Sequence, residues 1–133
     1  MSVDTSELRA RELMRAVAPA RECAMYAELG FVSVEGRSGG RYAYLIYPHR
    51  PLLAYETGSG RLLSEYCVRF RDEGDRLPDA DDVLARWLAI RGRERELIAT
   101  ANVNRPGHQI DPDHARRDLR RMREWIARNS DVD

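Results

Sequence analysis

Apolar positions change their spacing twice along the chain, and the changes divide it into three parts. In the first part Ala10, Leu13, Met14 and Val17 recur at intervals of three and four, the period of one helix face. Asp4-Thr5-Ser6-Glu7 precedes them with capping-box spacing, an acceptor followed three residues later by a carboxylate, so a helix is expected to start there. Pro19 cannot extend that helix without losing a backbone hydrogen bond, yet its fixed φ suits the first turn of another. The second helix carries Cys23, Met25, Tyr26 and Leu29 and stops at Gly30, which makes 1–30 a helical pair or one kinked helix.

From Phe31 the period falls to two, and β-branched and aromatic residues recur between turn formers. Strands are expected over Phe31–Glu35, Arg41–Tyr47, Leu52–Glu56 and Arg61–Phe70. The pieces between them, among them Pro48-His49-Arg50-Pro51 and Thr57-Gly58-Ser59-Gly60, are of hairpin length. In the last strand Leu62, Tyr66, Val68 and Phe70 fall on one face and Arg61, Glu65 and Arg69 on the other, the alternation of a sheet covered on one side. The region 31–70 therefore reads as an antiparallel meander.

Beyond an acidic connection, Arg71 to Pro78, helical spacing returns over 79–129. Asp79, Asp81 and Asp82 stand where a helix N-terminus favours negative charge, followed by Val83, Leu84, Trp87, Leu88 and Ile90. Gly92 bends or interrupts this run, which ends near Asn102 and Asn104. Asp111 caps a final helix with Pro112 at its first position, and Ala115, Leu119, Met122 and Ile126 form its apolar stripe. A frayed tail is expected over 130–133. The fold class is α+β: a four-stranded antiparallel meander sheet covered on one face by N-terminal and C-terminal helices, in a single domain over 1–133.

Composition narrows the setting. At 133 residues, 43% hydrophobic and 33% charged, the chain is long enough for one core without disulfides or metals. Cys23 and Cys67 stand far apart, outside any Cys-x-x-Cys pair, and are expected as buried, reduced thiols. No apolar stretch suits a membrane span and the first residues lack a basic-then-apolar pattern, so a cytoplasmic location is expected, with no membrane partner. All 22 basic residues are arginine, a bias that fits a GC-rich bacterial or phage genome. The formal charge is zero, so any electrostatic function must be local.

Two surfaces stand out. Arg116, Arg120 and Arg123 fall three and four apart on the last helix, a spacing that lets them hold phosphates or an acidic partner together. The acid-rich stretch 72–82 could dock on that helix, within the monomer or across a dimer. Tyr42, Tyr44, Tyr47, Tyr55 and Tyr66 cluster on adjacent strands; most suit core and rim positions, and those left exposed would anchor a protein interface or stack single-stranded bases. His108, Asp111, Asp113 and His114 share a short segment, but match no common metal-loop spacing. His49 sits in a proline-flanked turn and is expected to be exposed. Ser59 and Ser64 lack a nucleophile elbow, and the glycines at 36, 39 and 40 precede a strand where a phosphate loop needs a helix. No catalytic residue, metal or cofactor is assigned. The expected function is a protein-binding or adaptor module, as a homodimer or with another protein. Nucleic-acid or phosphate binding by the arginine helix comes second, and an enzyme with a dispersed site near His108 and His114 third.

Overall fold

The computed structural model describes residues 5–37, 39–68 and 77–130. Asp4 of the capping box, Arg69 and Phe70 of the last expected strand, the acids at 72, 73 and 75, and tail residues 131–133 lie outside them.

Helices α1 (Thr5–Val17) and α2 (Ala20–Leu29) form the N-terminal pair, with Pro19 as the N-cap of α2 and Gly30 as its C-cap at φ 86°. Strands β1 (Val32–Glu35), β2 (Tyr42–Ile46), β3 (Leu52–Glu56) and β4 (Leu62–Cys67) follow in meander order. Helix α3 (Asp79–Thr100) breaks at Arg93, beside Gly92, where φ −154° and ψ 51° leave the helical range. Strand β5 (Asn102–Asn104) and helix α4 (Pro112–Arg128) complete the chain. The N-cap of α4 forms as its spacing predicts, Asp111 Oδ1 accepting the Asp113 N–H at 3.1 Å.

The sheet has five antiparallel strands in the order β1-β2-β3-β4-β5, where the sequence pattern predicts four. Val103 of β5 pairs with Tyr66 of β4, and Asn102 and Asn104 pair with Cys67 and Glu65. Three residues with one apolar side chain carry no readable alternation; the free edge of β4 recruits them.

Helices cover both faces of the sheet, which corrects the expectation of one covered face. Ala43 through Ile46 and Leu52 through Tyr55 are buried without a break, so side chains on both sides of β2 and β3 are shielded. One side meets α3, whose Glu94 receives the hydroxyls of Tyr42 and Tyr44. The other meets α4, whose Asp118 receives the Tyr47 hydroxyl. Leu45, Ile46, Leu52 and Leu53 are each at most 1% exposed and contribute about 2 kcal/mol apiece through apolar burial. Glu65, expected on a solvent face, is 0% exposed. Among the described residues no helix is long and apolar enough to cross a membrane.

Candidate functional site

The arginines of α4 take part in a site with a second wall. Arg116, Arg120 and Arg123 line a groove of about 470 Å³, closed on its other side by Ser59, Gly60 and Arg61 from the turn between β3 and β4. Helical spacing sets the first three on one side of α4. The turn contributes a fourth guanidinium that strand periodicity alone assigned to an open sheet face.

Each group in the groove is held differently. Arg123 Nη2 donates to the Thr57 carbonyl at 3.0 Å, which fixes it against the turn. Gly60 permits that approach: a Cβ there would come within 3.3 Å of Arg123 Nη2, and its φ of 78° suits glycine. Ser59 Oγ donates to Glu56, and Arg61 Nη2 lies 3.7 Å from the same carboxylate. Arg116 Nη1 meets Asp113 Oδ1 at 3.1 Å. Arg120 makes no ion pair with any described residue. Four guanidinium groups thus line the groove, and the two carboxylates that meet them, Glu56 and Asp113, lie outside its lining, so its balance is positive.

The tyrosines do not gather on one exposed surface. Register places Tyr42, Tyr44 and Tyr66 on the α3 side of the sheet, whereas Tyr55 faces the α4 side with Leu53 and Leu45. Tyr44 and Tyr55 are buried, and Tyr42, Tyr47 and Tyr66 are half-buried. Their hydroxyls serve internal bonds: Tyr42 and Tyr44 to Glu94 at 2.6 Å, Tyr47 to Asp118 at 2.7 Å, and Tyr55 to Ser33 Oγ at 2.7 Å. Burial, reinforced by the Glu94 carboxylate, pushes the Tyr44 hydroxyl far above its ordinary range, and burial with Asp118 does the same to Tyr47. Both stay protonated and donate.

The histidines part company as well. His108 is exposed in the loop before α4, its N–H donating to the Arg105 carbonyl at 3.2 Å. His114 lines a different cleft, where its Nε2 lies 3.1 Å from the buried Asp118 carboxylate. His49, expected in the open, is half-buried with Nε2 3.0 Å from Asp79 Oδ1. Its φ of 59° is held by its own N–H, which donates to Asp82 Oδ2 at 2.7 Å. Asp82 therefore caps a turn as well as charging a helix start. Among the described residues no group of three or more histidine, cysteine or acidic side chains is arranged to hold a metal ion. Cys23 and Cys67 are half-buried free thiols, less enclosed than expected. Burial pushes the Cys23 thiol up, away from the reactive range.

The chain matches no protein-family model, no curated protein and no solved structure.

Proposed function

We propose that the protein is a binding module for the phosphate backbone of a nucleic acid, held along α4. The observation that carries this reading is the convergence of Arg61, Arg116, Arg120 and Arg123 on one groove, with Arg120 unpaired among the described residues. Guanidinium forks match phosphate oxygens and stay charged at any physiological pH. Arg117 and Arg128 are exposed too, on the adjoining side of α4, about 100° and about 120° round the helix from Arg116. From Arg116 to Arg123 the row spans about 10 Å, enough for about three nucleotide steps of one strand.

A protein partner reached through the tyrosines, as an adaptor or a homodimer, has less to stand on, because two of the five rings are buried and all but Tyr66 have their hydroxyls committed within the chain. The enzyme reading around His108 and His114 has less to stand on: His114 lines a cleft, whereas His108 is exposed in the loop before α4.

Fluorescence anisotropy with labelled single-stranded and duplex oligonucleotides, titrated across salt, tests the proposal. Affinity should fall steeply with salt, and Arg120→Ala should lower the magnitude of the log–log slope by about 1. Combined Arg116→Glu, Arg120→Glu and Arg123→Glu should abolish binding at a modest cost in melting temperature, because all three side chains are exposed and only the Arg116–Asp113 pair and the Arg123–Thr57 bond are lost. Unchanged binding by the triple variant would overturn the assignment. Equal displacement by polyglutamate would replace the nucleic acid with an acidic protein partner.

A further inference from the structure

A second concavity, of about 560 Å³, lies where the turn after β2 meets the starts of α3 and α4. Its volume falls in the range of small-molecule sites. Tyr47 and Ile110 give it an apolar floor, and Arg50, Asp79, Asp111 and His114 bring charge of both signs to its walls.

Each polar group there is oriented by one protein contact and keeps capacity for another. Arg50 Nη1 donates to the Gln109 carbonyl at 3.1 Å, which leaves the rest of its five donors. Asp79 Oδ1 meets His49, and Asp111 Oδ1 caps α4, so each carboxylate retains a second oxygen. His114 Nε2 is engaged by Asp118, leaving Nδ1. Among the described residues Arg50 forms no ion pair, although two carboxylates line the same cleft. Opposite charges sharing a cavity without neutralising each other suit a ligand that carries both signs. A phosphate would face Asp79 and Asp111, and a simple cation would face Arg50; each meets a like charge.

We infer that this cleft binds a small zwitterion of the amino-acid class, its carboxylate on Arg50 and its ammonium on Asp79 and Asp111, with an apolar side chain over Tyr47 and Ile110. The site is separate from the arginine groove and does not depend on nucleic-acid binding.

Thermal shift followed by calorimetric titration with the twenty free amino acids, each singly, tests it on the full chain. At least one with an apolar side chain should raise the melting temperature and titrate as a single site. Its N-acetyl and its amide forms should each bind about tenfold more weakly or worse, since each leaves a charged wall unanswered. Arg50→Gln and Asp79→Asn should weaken the free amino acid to the same degree. Both side chains are exposed, so the variants should keep the parent fold, which circular dichroism checks. Tight binding of dipeptides alongside absent binding of single amino acids would shift the ligand to a peptide end and overturn the inference. So would blocked forms that bind as well as free ones, variants that bind like the parent chain, or no binding by any amino acid at millimolar concentration.

Discussion

Five acidic side chains withdrawn from water each join segments far apart in the chain. Glu7 of α1 accepts the Ala80 N–H at the start of α3 and the Tyr26 hydroxyl of α2, at 2.9 and 2.8 Å. Asp82 holds the turn after β2, Glu94 binds two tyrosines of β2, and Asp118 binds Tyr47 and Arg121, the latter at 2.7 Å. Glu65 has the most enclosed position. Its two oxygens accept the N–H groups of Gly107, Gln109 and Ile110 at 2.9 to 3.2 Å, which fastens the loop before α4 to β4. Glu65→Ala would strand three backbone donors. It is expected to cost roughly 3 kcal/mol or more, read as a lower urea midpoint at constant slope. Glu65→Gln should cost less, because one amide oxygen still accepts.

At the scale of elements, helix ends and breaks do more than bound the helices. The break at Arg93 falls beside Glu94, where the carboxylate also accepts the Arg37 N–H at 2.9 Å and so reaches the turn after β1. Gly30 ends α2 in the left-handed region and returns its N–H to the Tyr26 carbonyl at 2.9 Å. A Cβ at that position would meet nothing within 4 Å, so Gly30→Ala tests backbone conformation without a clash. The expected loss is about 1 kcal/mol, measured by chemical denaturation. A neutral result would mean that α2 ends by another geometry.

For the whole molecule, the buried carboxylates couple stability to pH. Burial alone raises the Glu94 carboxyl, but the hydroxyls of Tyr42 and Tyr44 and the Arg37 N–H outweigh it and hold the group below its ordinary 4.5. Glu7 behaves alike: burial raises it, and the Ala80 N–H, Arg11 and Tyr26 bring it down further. With a folded pKa below the unfolded one, each contribution is present in full above the unfolded value and is lost as pH falls through the lower, folded one. Glu22 and Asp81, raised chiefly by burial, act with the opposite sign. Melting curves of the parent chain and Glu94→Gln, taken from about pH 7 to about pH 3, should therefore lie furthest apart at neutral pH and converge below about 4.5. A constant gap would show that the Glu94 charge does not stabilise the fold.

Local periodicity and end signals were enough to read the helical pair, the first four strands, the bend near Gly92 and the Asp111 cap of α4, because each depends on residues within a few positions of one another. The same spacing put Arg116, Arg120 and Arg123 on one side of a helix. Partnership across the chain decided the rest. The short β5 formed where a strand edge was free, and the second covering layer made Glu65 a buried anchor instead of a solvent-facing residue. The tyrosines read alike in sequence, since alternation reports which residues share a face and not what covers it. Arg61 entered the groove, and Arg50 and His114 entered one cleft, only through the packing of β4 and the β2–β3 turn beside α4. Sequence determined the elements because their forces are local; tertiary structure determined the sites because charge acts through proximity in space.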